Sequence, residues 1–108
     1  MTRAATNPLI GKWRIVETDL WEADYPDMLE PAFIEFKRDG LGEFRLGCVI
    51  GGFDCHYMPA AAHFTWQGSD EMDEVCGDGI ALLEGDGTLS GEISFHLGDE
   101  AIFKAKKW

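Results

Sequence analysis

Cations are scarce in this chain. Nine Lys and Arg stand against twenty Asp and Glu, a formal net charge of −11 over 108 residues. A nucleic-acid binder must displace condensed counterions with cationic side chains, and this chain would repel a phosphate backbone or an anionic bilayer. Nucleic acid and membrane are therefore excluded as expected partners. The excess acid reads first as a solvated, repulsive surface, and second as a docking face for a basic protein. Cysteine is also rare: three residues, an odd number without framework spacing, which points to reduced thiols in a cytoplasm. Met1–Pro8 shows no apolar core of a signal peptide. No apolar run is long enough to span a bilayer. Linkers, repeats and low-complexity tracts are missing, so 1–108 is expected to fold as a single domain. No serine stands in a nucleophile elbow and no glycine-rich loop could cradle phosphate; Gly85-Asp86-Gly87 reads as a hairpin turn. No cofactor is expected.

What is present is a series of short alternating segments. Candidate strands are 9–18, 32–38, 42–50, 53–58, 61–67, 79–84, 88–97 and 101–106. The thirteen glycines are read mostly as turn residues. In the longest gap, Tyr25–Pro31 reads as one helical turn, with Pro26 suited to a first helical position and Pro31 opposing continuation.

Cross-strand chemistry suggests registers. An odd loop centred on Gly40 sets Ile34 opposite Leu46 and Phe36 opposite Phe44, with Glu35 facing Arg45 and Lys37 facing Glu43 on the other side. A two-residue turn at Gly51-Gly52 sets Ile50 opposite Phe53, Cys48 opposite Cys55 and Leu46 opposite Tyr57, leaving Val49, Asp54 and His56 outside. A hairpin centred on Asp99 pairs Leu97 with Ala101, Phe95 with Phe103 and Ile93 with Ala105. Each hairpin gains one apolar face. The chain is thus all-β, an antiparallel up-and-down meander of about eight strands. It is expected to close into a small barrel, with a twisted open sheet around the short helical turn as the alternative.

Gly11-Lys12-Trp13 on the first strand resembles the G-x-W motif of the calycin superfamily, which includes lipocalins, fatty-acid-binding proteins and avidins. The chain order (strand, long first loop, consecutive hairpins) is similar as well. The resemblance implies a lipocalin-like barrel in which Gly11 and Trp13 close one end. It also implies that a basic residue of the last strand, Lys104 or Lys106, packs over the Trp13 ring. It carries over no particular ligand.

Several sites can be weighed. The inward residues, among them Trp13, Phe36, Phe44, Phe53, Phe64, Trp66 and Phe103, are bulky enough to fill an eight-stranded barrel. The alternative is an aromatic-walled pocket at one end, with Trp21, Tyr25, Met28, Tyr57 and Trp66 as ligand-binding residues and the first loop, through Leu29, as lid. Asp54 and His56 share a strand face and could approach His63 or His96, but on the outside; no metal site is expected. The run Asp70-Glu71-Met72-Asp73-Glu74 lacks the glycine and distal Glu of a calcium loop and reads as a polar loop, with Asp70 as a helix cap. Cys48 and Cys55 read as buried, inert thiols, and the acids around Cys76 oppose its ionisation.

Three functional readings follow. The first is a cytoplasmic barrel binding a small apolar or aromatic molecule at one end. Close behind is an acidic module with a filled barrel that docks a basic protein partner through 70–74 and Trp21–Asp27. Last is an enzyme with Tyr57, His63 or His96 as proton donor, and the balance leans away from it. The chain is expected to be a monomer or a homodimer.

Overall fold

Period-two alternation of apolar and polar residues builds every strand here, and the polar members end up outside. The computed structural model describes residues 8–18, 32–47, 49–70, 72–98 and 100–108. The strands are β1 (Gly11–Thr18), β2 (Phe33–Phe36), β3 (Leu41–Leu46), β4 (Val49–Met58), β5 (Ala61–Asp70), β6 (Asp73–Leu83), β7 (Leu89–Phe95) and β8 (Glu100–Lys107). Each pairs antiparallel with its sequence neighbour, and β1 pairs with β8, so the meander closes as a barrel. The expected helical turn at Tyr25–Pro31 and the expected lid lie outside the described residues.

The topology sorts the connections into two ends. The start of β1, the β2–β3, β4–β5 and β6–β7 turns and the end of β8 share one end, here the Trp13 end. The β3–β4, β5–β6 and β7–β8 turns share the other, the Leu97 end. Thr18 and Phe33, which flank the β1–β2 connection, also stand there. β6 reaches further than β7: Asp73 pairs with Asp70 at the tip, and Asp70 in turn with Val49 of β4, whereas β7 meets β6 only from Gly77 onward.

The core is a stack of rings laid over glycines. Phe53 occupies the space a side chain at Gly42 would need, and Phe64 does the same at Gly79. A Cβ at Gly51 would lie 2.6 Å from the Phe44 ring, and one at Gly91 would lie 2.6 Å from the Phe103 ring. These glycines sit directly opposite the same rings in the ladders: Gly42 faces Phe53, Gly51 faces Phe44, Gly79 faces Phe64 and Gly91 faces Phe103. The reading of glycine as mainly a turn residue is thereby corrected. In a narrow barrel, bulky rings fit only where the facing position has no side chain. Ring pairs then interlock at 4.6 Å (Phe53–Phe64), 5.1 Å (Phe44–Trp66) and 5.2 Å (Trp66–Phe95).

That fit shifts all three expected registers while preserving most faces. The first hairpin sets Phe36 opposite Gly42 and Ile34 opposite Phe44, so its loop centres on Asp39 rather than Gly40. Asp39 accepts a hydrogen bond from the Leu41 N–H at 3.0 Å, and Gly40 takes the left-handed conformation at φ 84°. Glu35 consequently faces Glu43 across the ladder, and Lys37 reaches Glu43 diagonally at 3.6 Å. The second turn lies between Leu46 and Val49, with Gly47 at φ 64°, so Gly51 and Gly52 are strand residues. Val49 is buried and Ile50 is exposed, the reverse of the expectation. On the β3 side the Cys55 N–H donates to the Gly40 carbonyl at 2.7 Å; Cys48 lies outside the described residues, and Cys55 and Cys76 are free thiols. The last hairpin pairs Ile93 with Ala101 and leaves Leu97 at its tip. Asp70 and Asp73 form a tight hairpin end, not a helix cap in a loop.

At the Trp13 end a lysine of β8 stacks on the Trp13 ring, but not one of the two lysines expected there. Trp13 is buried and its Nε1 donates to the Leu9 carbonyl at 2.9 Å. The cation over its ring is Lys107, with Nζ 4.8 Å from the centroid and 3.1 Å from the Ile10 carbonyl. Lys104 and Lys106 alternate outward, facing Glu17 and Arg14, so neither reaches the ring. Gly11, at φ 130°, makes room, because a Cβ there would sit 2.6 Å from the Lys107 ammonium.

Two stability measurements check this account. Trp13→Ala is expected to destabilise by about 3–5 kcal/mol, as loss of a large buried ring does. In chemical denaturation, Gly51→Ala should cost about 1–3 kcal/mol through its clash with Phe44. Gly52→Ala, with open space at its Cβ, should be neutral or gain about 0.4–1 kcal/mol. Equal effects at the two positions would restore the turn reading.

Candidate functional site

The expected end-pocket residues are not brought together. Trp21, Tyr25 and Met28 lie outside the described residues. Tyr57 is half-buried toward the Trp13 end, where its hydroxyl donates to the Lys37 carbonyl at 2.7 Å. Trp66 is buried four residues further along β5 from Ala62, the residue opposite Tyr57, so about 13 Å of strand separates their levels. Its Nε1 donates to the Ser94 carbonyl at 3.2 Å, and Phe44 and Phe95 pack edge-on against it. Gly11, Trp13 and Lys107 meet at the Trp13 end.

The proposed proton donors are dispersed as well. His63 is outward on β5, opposite His56 and 3.7 Å from Asp78. His96 is exposed at the Leu97 end, and its N–H donates to the Cys76 carbonyl at 2.7 Å. Asp54 and His56 are outward, as expected. Among the described residues, no group of three His, Cys, Asp or Glu is placed to hold a metal ion.

The concave surface is on the outside of the wall. A groove of about 820 Å³ crosses the outer face of β4–β6, lined by residues including Asp54, Thr65, Gln67, Cys76, Asp78 and His96. A second, of about 580 Å³, shares Gln67 and Cys76 with it and continues to Glu74 and Val75. Glycines shape this trough. Gly52 leaves its outer face open, while at Gly68 and Gly77 the Ile50 and Ser94 carbonyls occupy the place of a Cβ, so neighbouring backbones approach closely. Asp54 and Asp78 stand on the trough, Glu74 further along it, and no lysine or arginine lines either part.

That absence extends along the chain. Between Arg45 and Lys104 there is no Lys or Arg, while eleven Asp and Glu fall in the same stretch. One wall, β4–β7, is therefore free of cationic side chains. Opposite it, Lys106, Arg14 and Arg45 fall in one cross-strand row with Phe33 on β8, β1, β2 and β3. Lys12 lies 4.4 Å from the Phe33 ring and 4.5 Å from the half-exposed Trp108 ring. Sequence reasoning had singled out Asp54 and the acidic hairpin, but not Asp78, Thr65 or Gln67. The cation-free stretch was the signal that could have found them.

The turns of this barrel differ in one respect. Gly40 and Gly87 carry the left-handed conformation in their turns, at φ 84° and 88°. Both are the fourth residue of their turn. In the β7–β8 turn the fourth residue, Gly98, donates to the Phe95 carbonyl at 2.9 Å, and the left-handed residue is the third, Leu97, at φ 57°. Leu97 is the only non-glycine with positive φ among the described residues. A side chain in that conformation costs roughly 1–2 kcal/mol.

No known protein family, curated protein or solved structure matches this chain.

Two raised acids give the Trp13 end a pH response. Burial pushes the Cys55 thiol up, and the Tyr57 hydrogen bond offsets part of this. Burial and the bond to Cys55 push the Tyr57 hydroxyl well above its ordinary value. Both groups hold their protons longer folded than unfolded. Their stabilisation is complete below the unfolded values of about 8.5 and 10, and is lost as pH rises beyond them. Melting temperature should therefore fall between about pH 8.5 and 11, and Tyr57→Phe should flatten that fall.

Proposed function

We propose that this chain is a calycin-like barrel whose outer β4–β6 wall docks a cationic protein segment. The carrying observation is the trough marked by Asp54, Asp78 and Glu74, on a wall with no lysine or arginine. Carboxylates concentrated in a concave surface reinforce one another's field, which draws in a basic partner and raises its association rate. Gly11, Trp13 and Lys107 support the calycin-like reading, since ring and cation stand as that resemblance implies. The free thiols of Cys55 and Cys76 fit a reducing cytoplasm.

Binding of a small apolar molecule at a barrel end draws less support. Phe44, Phe53, Phe64 and Phe103 already take up the space over the inward glycines. An enzymatic reading with Tyr57, His63 or His96 as proton donor draws less support: the Tyr57 hydroxyl is engaged by the Lys37 carbonyl, and His63 and His96 are exposed, on the outer face and at the Leu97 end.

The test is titration with a fluorescein-labelled peptide of alternating Lys and Ser, followed by anisotropy. Wild type should bind, and affinity should fall steeply as salt rises from low to physiological strength. The double variant Asp54→Asn/Asp78→Asn should bind about tenfold more weakly, since rim charges are worth up to about 1 kcal/mol each. Glu17→Gln, on the opposite wall, should bind as wild type does. Salt-insensitive binding, no binding, or an unaffected double variant would sink the proposal.

A further inference from the structure

We infer that Leu97 is the apolar anchor of this docking surface, and that the cationic partner carries an apolar pocket beside its charges. The inference rests on the docking function just proposed and names the partner's chemistry. Three observations meet at this residue. Its backbone is in the left-handed region, with positive φ at the third position of the Phe95–Gly98 turn, a place that favours glycine or asparagine. In the 37–40 and 84–87 turns the left-handed residue is a glycine, at the fourth position; here it is a leucine at the third, one residue before Gly98. The Leu97 side chain is 95% exposed, so it contributes almost nothing to the core.

A strained residue that contributes little to the fold points to a use outside it. Position supplies the use. Leu97 follows His96, which lines the acidic trough, and therefore stands at the rim of the proposed site. Met72, 97% exposed at the tip of the acidic β5–β6 hairpin, adds a second apolar side chain at the same barrel end. Carboxylates in the trough and an apolar knob at its rim fit a surface where lysines or arginines flank a hydrophobic recess. The carboxylates steer the approach, and burial of the knob slows departure.

Leu97→Asn separates this role from a structural one, because asparagine tolerates the left-handed conformation. Its melting temperature should rise by a few degrees. Two labelled peptides of equal charge and length then serve as probes, one of Lys and Ser, the other of Lys and Leu. Wild type should bind the Lys/Leu peptide about tenfold or more tightly than the Lys/Ser peptide, the gain expected from burying one leucine side chain. In Leu97→Asn that preference should collapse while Lys/Ser binding is unchanged. The inference is overturned if wild type shows no preference, if the preference survives in Leu97→Asn, or if Leu97→Asn melts lower. If neither peptide binds wild type, it is the docking function itself that fails.

Discussion

The ring laid over a glycine on the next strand is the contact on which the rest of this barrel depends. An eight-stranded barrel has barely enough interior for its own side chains. Here seven of the nineteen buried apolar residues among those described are phenylalanine or tryptophan, and such rings would not fit facing ordinary residues. Gly42, Gly51, Gly79 and Gly91 remove the facing side chain, so each ring lies against backbone. The same arrangement sets the registers. A shift by two positions would move Phe44 off Gly51 onto Val49 or Phe53, and Phe103 off Gly91 onto Leu89 or Ile93, so the pairing that fills the barrel is also the pairing that specifies it.

With the core given over to packing, the wall is what the barrel presents to its surroundings, and that wall is electrically divided. Cations gather on β8, β1 and β3, while β4–β7 carry none. The two sides follow from chain order, because a meander keeps sequence neighbours adjacent in space. A charge bias along the chain thereby becomes a charge bias around the barrel.

Much of this could be read from the sequence, and the failures have a common cause. Period-two patterning gave the eight strands, their antiparallel order and the inward faces of Ile34, Phe36, Phe53, Phe103 and Ala105. It is blind to a shift by two, since such a shift preserves faces. The expected registers maximised charge pairs such as Glu35 with Arg45, whereas the structure accepts Glu35 opposite Glu43 to keep Phe36 over Gly42. Glycine was therefore misread as a turn marker at Gly51-Gly52. Val49 and Ile50 exchanged faces because that false turn changed the parity at the start of β4. At the Trp13 end, alternation from Phe103 leads to Lys107, and the choice of Lys104 or Lys106 overlooked it. The trough was legible only as a missing residue type, and Leu97 not at all, since its significance lies in a backbone angle.

The reach of β6 past β7 has a consequence for how copies of this chain meet one another. Barrel closure removes sheet edges only where adjoining strands are equally long, and from Asp73 to Val75 β6 has no β7 residue opposite it. A short stretch of strand edge is thus left at the Leu97 end of the sheet. Asp70, Asp73 and Glu74 stand on that hairpin, so an approaching second copy would bring like charge against like charge. The acidic tip thereby guards this margin against edge-to-edge aggregation.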